Sequence, residues 1–231
     1  MKRRKFTSGL ASATGLWALV GARSATAAGI TDSDAALGMR AALERGASAA
    51  VALLGRSGGF LDNPKVRIPL PGFLNDAAKV LKYTGQQKRI DELVTAMNRA
   101  AEAAVPQAKT LLVNAVKAMS VEDGRQILTG GDNSVTDFFA GKTRAPLAVT
   151  FLPIVTKATE KVSLADKYNA VAAKAAGLGL LKGDDANIQQ YVTGRALDGL
   201  YLMIGEEERK IRKDPVGTGS AILQKVFGSL K

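Results

Sequence analysis

Apolar residues recur at helical spacing through most of the chain, and most regularly between Asp184 and Lys213. The recurring positions there are Leu197, Leu200, Tyr201, Ile204 and Ile211. No proline interrupts this stretch, and from 196 to 204 it is apolar nearly all round, which is typical of a helix buried among others. The pattern predicts a long central helix near the C-terminus of an all-α, multi-helix bundle.

Further stretches carry the same period. An alanine-rich run ends at Leu54, a short helix is predicted over 72–83 and a longer one over 87–104. Another helix begins near Pro106, and Ser120 opens the next in the manner of a capping box. An amphipathic piece over 221–227 closes the chain. Each is bounded by residues that cap or end helices. The pattern therefore indicates one helical domain over 28–231, without repeats or linkers.

Prolines complicate the segment between 134 and 162. Ser134 and Thr143 are each expected to cap a helix, with Pro146 in the first turn of the second. Pro153 is expected to introduce a kink or a restart, because proline removes a helical hydrogen bond.

One stretch departs from the helical pattern. Residues 60–71 contain three prolines, which forbid a helix and favour an extended path. Val66, Ile68 and Leu70 alternate along it, so one side of the path is expected to be buried. We expect this segment, the strap, to cross the surface of the bundle.

The first 27 residues are expected to be an export signal. A basic start is followed by a modest apolar run and by the small residues Ala25-Thr26-Ala27. Arg3-Arg4-Lys5-Phe6 resembles a twin-arginine signature, and an ordinary Sec signal is the alternative. No cysteine follows the small residues, so we expect no lipoprotein anchor, no membrane span in the mature chain and a free periplasmic protein.

Removing this signal changes the charge. The chain has 32 basic and 21 acidic residues, a net charge of +11; five basic residues and no acid lie in 1–27, so the remainder carries 27 against 21, or +6. A mildly basic charge of this size does not indicate nucleic-acid binding.

The chain contains no cysteine and no histidine. A Ser-His-Asp triad, a cysteine nucleophile, a His/Cys zinc site and His- or Cys-ligated haem or iron–sulfur clusters are therefore excluded. No cofactor is expected. Acid–base chemistry would fall to Asp, Glu, Lys or Tyr, and any metal would be a hard cation bound by oxygen.

The chain resembles a family of exported bacterial proteins catalogued as a domain of unknown function. The resemblance extends over 35–227 and is carried by the strings FLDNPKVRIPLP, MNRAAEAAVPQAK, ILTGGDNSVTDFF, FLPIVTKATEKV and ALDGLYLMIGEEERKIRKDP. It implies an all-helical, single-domain envelope protein. It implies no reaction, ligand or site residue.

The central helix carries the sharpest candidate site. Gly194, Asp198 and Gly205 share one face, where the glycines permit close approach of a backbone or ligand. Asp198 lies in the most apolar stretch, where an isolated carboxylate is costly. One reading pairs it with Arg195 at a helix edge; the other makes it a ligand-binding carboxylate in a glycine-lined cleft, with Glu102 or Asp132 nearby.

Two other groups of polar residues are weaker candidates. Gly130-Gly131-Asp132 could form an ion-binding loop, or a turn in which glycine supplies a positive φ. Asn98, Arg99 and Glu102 lie opposite the apolar stripe of their helix, which favours a solvated face, although they could meet another element.

Three functional hypotheses follow. The first is a non-catalytic protein that binds a small apolar or amphipathic molecule or an envelope protein, and it requires a pocket of roughly 300 Å³ or more. The second is a hydrolase or lyase, with or without Ca²⁺ or Mg²⁺, in which two or more carboxylates converge. Its candidates are Glu102, Asp123, Asp132, Asp198 and Glu206. The third is attachment to anionic envelope surfaces through Lys65 and Arg67.

Overall fold

The computed structural model describes residues 32–72, 74, 85, 87–131, 134–177 and 187–214. Over these residues the secondary structure is helical, with no strand, which confirms the predicted all-α class. The helices are α1 (Asp32–Leu54), α2 (Gln87–Ala104), α3 (Ala108–Lys117), α4 (Val121–Thr129), α5 (Ser134–Thr159), α6 (Ser163–Gly177) and α7 (Ile188–Lys213), with a 3₁₀ turn at Val105–Gln107 between α2 and α3.

The predicted helix ends are set by capping side chains. Ser120 and Asp123 form a reciprocal capping box at the start of α4, as the sequence predicts. The central helix begins at Ile188, after Asn187 in extended conformation, whose side chain accepts the N–H groups of Gln189 and Gln190. The predicted end of this helix at Lys213 is confirmed. The segments predicted as helical at 72–83 and 221–227 lie wholly or mostly outside the described residues.

The predicted division of the segment after Ser134 is wrong, because α5 runs continuously over 26 residues with Pro146 and Pro153 inside it. Both prolines lie on the exposed side of α5, where water can hydrate the carbonyl groups that they leave without a donor. Thr143 is not a cap: it lies buried in mid-helix, and its hydroxyl bonds to the Phe139 carbonyl at 2.7 Å and to the Tyr201 hydroxyl at 2.9 Å.

The helix α7 is central to the bundle. It contacts α1, α2, α5 and α6. Leu197, Leu200, Tyr201 and Ile204 are all buried, as their spacing predicts. Within the part of the chain that the structure describes, no helix is long and apolar enough to cross a membrane.

The strap lies between α2 and α7. Val66 and Ile68 are buried and Leu70 is partly buried, whereas the intervening Arg67 and Pro69 are exposed, which confirms the predicted alternation. The strap is also hydrogen-bonded to α7, where the Tyr191 hydroxyl donates to the Pro69 carbonyl at 3.1 Å.

Close packing of the strap on α7 requires a glycine that the sequence interpretation did not single out. A Cβ atom on Gly199 would lie 2.8 Å from Phe60 Cε1 and 3.2 Å from Val66 Cβ. Phe60 is fully buried against this point. Glycine at 199 therefore lets the strap approach the helix directly.

Candidate functional site

A cleft of about 520 Å³ lies between α5 and α7, which run antiparallel. Small residues form much of the α5 wall, namely Ala140, Gly141, Ala145 and Ala148, and Gly194 lies on the α7 wall. At the adjoining end, Thr136 approaches Gly205 so closely that a Cβ atom on this glycine would lie 2.7 Å from Thr136 Oγ1. The two helices are therefore in direct contact at Gly205 and leave open space at Gly194.

The outer part of the cleft is apolar and open to solvent. Val149 is 76% exposed and Leu152 is 36% exposed, and both line the cleft on α5. Exposed apolar side chains that share one concave surface are typical of a binding site, because an occupant removes them from water.

The cleft wall also contains a polar group without a partner. Thr193 lines the cleft and is 5% exposed. Its Oγ1 is buried and makes no hydrogen bond within the described residues. A buried hydroxyl without a partner costs free energy. Because this oxygen is closed off from solvent, a ligand in the cleft does not reach it, and the hydroxyl does not contribute to the surface of the cleft.

The charged residue on the cleft wall is Arg144. Its Nη2 donates to Asp198 Oδ1 at 2.8 Å, and its guanidinium carbon lies 6.0 Å from the centre of the Tyr201 ring. Asp198 is itself half-exposed rather than buried in the apolar stretch, because it faces outward from α7 toward this arginine. The carboxylate therefore sits at the edge of the cleft as half of an ion pair.

The predicted pairing of Asp198 with Arg195 is wrong. Arg195 is exposed and stacks over the Tyr191 ring, with 5.3 Å between the guanidinium carbon and the ring centre. Sequence alone could not give the correct partner, since Arg144 is on another helix. The two glycines that were predicted to share one open face also differ in their surroundings. Gly194 lines the cleft, whereas Gly205 is buried against α5.

Glu102 is an interior residue, which corrects the expected solvated face. It is 5% exposed, and its Oε1 accepts the N–H groups of Phe60 and Leu61, both at 3.0 Å. Its Oε2 accepts from Arg99, whose guanidinium also reaches Ser57 at 2.8 Å. Glu102 therefore fixes the start of the strap to α2.

The ionisation of Glu102 suits this role. Burial opposes the charged form, but the hydrogen bonds from the strap backbone and from Arg99 more than compensate and hold the pKa of Glu102 below its ordinary value. The carboxylate is charged and fully engaged with the protein. Asn98 and Glu102 are four residues apart in an alanine-rich part of the helix, so they lie on the same side of it. This spacing is the feature of the sequence that could have predicted a second packed face on α2.

The glycine turn after α4 connects two helices. Gly130 has φ −76°, so it does not supply the positive φ that the turn interpretation expected. It is needed for space instead, because a Cβ atom there would lie 2.6 Å from Ser134 Cβ. Gly131 is exposed, and Asp132 lies outside the described residues.

The carboxylates of the enzymatic hypothesis have separate partners. Glu102 binds the strap, Asp123 caps α4, Asp198 pairs with Arg144, and Glu206 pairs with Lys65 at 2.8 Å. Hydrogen bonds from the Ser120 backbone and hydroxyl lower the pKa of Asp123, as expected for a cap. No group of three or more acidic residues that could hold a metal occurs among the described residues.

Over the described residues, the fold and the cleft define an all-helical protein with an apolar groove between two antiparallel helices. A family model described as "Protein of unknown function (DUF4197)" matches residues 29–228. The chain belongs to this family, which confirms the resemblance seen in its sequence strings. No curated protein and no solved structure matches the chain.

Proposed function

We propose that the protein binds a small apolar or amphipathic molecule in the cleft between α5 and α7, and that it acts by binding rather than by catalysis. The observation that carries the proposal is the cleft itself, with a volume of about 520 Å³ and the exposed side chain of Val149 on its wall. Small-molecule sites typically hold roughly 300–1,000 Å³ and are lined mainly by apolar groups.

The chemistry of the walls supports binding over reaction. Apart from Arg144, Gln190 and Thr193, the cleft is lined by Ala, Gly, Val and Leu. None of these three is a general acid or base near neutral pH, since arginine stays protonated. The acidic side chains that the structure describes are held by other partners or lie outside the cleft.

Native mass spectrometry tests this proposal. Protein purified without detergent from its own cell is expected to carry a small molecule. Ala145→Trp places an indole at the cleft wall, whereas Ala158→Trp makes the same change at an exposed position of α5 outside the cleft. The bound mass should disappear in the first variant and persist in the second; wild-type protein with nothing bound, or a molecule held equally by both variants, contradicts the proposal.

We also propose that the protein is exported and acts in the periplasm, with cleavage near Ala27. The basic residues Arg3 and Arg4 and the small residues before position 28 support this proposal. Cell fractionation tests it: the periplasmic fraction should contain a chain that begins at Ala28. Replacing both arginines with lysine should block a twin-arginine route and spare a Sec route; full-length protein in the cytoplasm of wild-type cells contradicts export.

A further inference from the structure

We infer that the cleft selects an aliphatic carboxylate, with its head group on Arg144 and its chain along the apolar wall of α5. The inference rests on the proposed function and names the chemical class of the ligand. It depends on the charge of the cleft, on the bonding capacity of one guanidinium and on the direction in which the apolar wall extends.

Arg144 is the charged residue among the described residues that line the cleft. It adjoins an otherwise apolar surface, so an anionic head group with an aliphatic tail complements both parts. A guanidinium offers five N–H donors in a planar fork that matches a carboxylate. A neutral apolar ligand would make no use of the donors that Arg144 does not give to Asp198.

Arg144 has donors to spare and is accessible. Among the residues that the structure describes, Arg144 makes one hydrogen bond, from Nη2 to Asp198 Oδ1, and its guanidinium also lies over the Tyr201 ring. The side chain is 44% exposed and that of Asp198 is 51% exposed. A second carboxylate can therefore reach the guanidinium from the cleft without any displacement of core side chains.

The direction of the wall fixes where the tail lies. Ala148, Val149 and Leu152 follow Arg144 along α5, and eight residues of helix span about 12 Å at 1.5 Å per residue. A tail along this wall covers Val149 and Leu152, the large apolar side chains that the cleft leaves exposed.

A single cation favours a carboxylate over a phosphate. A phosphate monoester carries close to two charges at neutral pH and is usually held by several cations or backbone N–H groups. Here one guanidinium already bonds one carboxylate at 2.8 Å. Asp198 repels an anionic ligand, whereas Arg144 attracts it. The two residues therefore have opposite effects on the affinity for such a ligand.

Titration of the purified protein with three ligands tests the inference. Decanoate, decanol and decyl phosphate share one tail and differ in head group, and each is used below its micelle concentration. Decanoate should bind roughly ten-fold more tightly than decanol, as expected for one partly exposed charge-assisted contact. Arg144→Gln should abolish this difference, Asp198→Asn should strengthen decanoate binding, and decanol should be unaffected by either change.

Arg125→Gln is the matched control, because it removes an exposed arginine that is likewise paired with a carboxylate, Glu122, outside the cleft. It should leave all three affinities unchanged. Equal binding of decanoate and decanol overturns the head-group inference and leaves the proposed function intact, whereas no binding of either overturns both. Decyl phosphate that binds more tightly than decanoate overturns the choice of carboxylate.

Discussion

The side-chain amide of Asn98 in α2 bonds to both backbone groups of Ile68 in the strap. Its Oδ1 accepts the Ile68 N–H at 2.8 Å, and its Nδ2 donates to the carbonyl groups of Ile68 at 3.0 Å and Val94 at 2.8 Å. Asn98 and Ile68 are both buried, so water is not available as a substitute partner. A helix side chain thus supplies hydrogen bonds that a neighbouring strand would supply in a sheet.

Asn98→Ala should lower the free energy of unfolding by about 2–4 kcal/mol, because it leaves the buried N–H and carbonyl of Ile68 unsatisfied. Urea denaturation of the two proteins measures the change. Asn114→Ala is the matched control, since Asn114 is an exposed helical asparagine, and its effect should stay within about 0.5 kcal/mol. A similar small loss at both positions would show that the strap does not depend on Asn98.

Glu102 should make stability depend on pH. Its pKa is lower in the folded state than in the unfolded chain, so the unfolded chain takes up the proton first as the solution is acidified. The stabilisation is therefore fully present above the ordinary pKa of 4.5 and is lost as pH falls through the folded value. Denaturation of wild type and Glu102→Gln between pH 3 and 7 measures it.

At pH 7 the free energy of unfolding of Glu102→Gln should be about 1–3 kcal/mol lower than that of wild type. The reason is that glutamine presents an amide N–H₂ toward Arg99 where the carboxylate accepts a hydrogen bond. The difference should shrink below the ordinary pKa. A gap between the two proteins that is constant over the whole range contradicts a charged Glu102 in the folded state.

Gly199→Ala should destabilise the protein by about 1 kcal/mol. The added methyl group meets the Phe60 ring at 2.8 Å. Overpacking of this kind costs about 1–3 kcal/mol and exceeds the gain of about 1 kcal/mol that alanine brings to a helix. Gly141→Ala, with no atom within 4 Å of the new Cβ, should instead stabilise by about 0.5–1 kcal/mol. Thermal unfolding compares them, and equal stabilisation by both would show that the strap does not press on Gly199.

The local pattern predicts much of this fold. The bounds of α2 agree with the prediction because its apolar stripe repeats every 3.6 residues from Ile90 to Ala101, and Pro106 follows in the 3₁₀ turn after the helix. The strap follows from three prolines and from the alternation of Val66, Ile68 and Leu70. The continuity of α5 could not be predicted in this way, because tolerance of Pro146 and Pro153 depends on which side of the helix faces water.

The candidate site depends on tertiary contacts, and the sequence predicts it only in part. The glycine-faced helix indicates where a ligand could approach, and Gly194 does line the cleft. The partner of Asp198 is 54 residues away in sequence, on a helix whose rotation about its axis is set by packing. Asn98 and Glu102 look solvated from the stripe of α2 alone, because a non-helical segment covers the opposite face.

The most direct measurement of the binding account is the affinity of the cleft for N-phenyl-1-naphthylamine, a neutral apolar fluorophore. Fluorescence titration compares wild type, Ala145→Trp at the cleft wall and Ala158→Trp outside it, each checked for native helicity by circular dichroism. The account predicts a loss of roughly ten-fold or more, at least about 1.4 kcal/mol, for Ala145→Trp, and wild-type affinity for Ala158→Trp. Equal affinity in all three proteins would contradict a ligand site between α5 and α7.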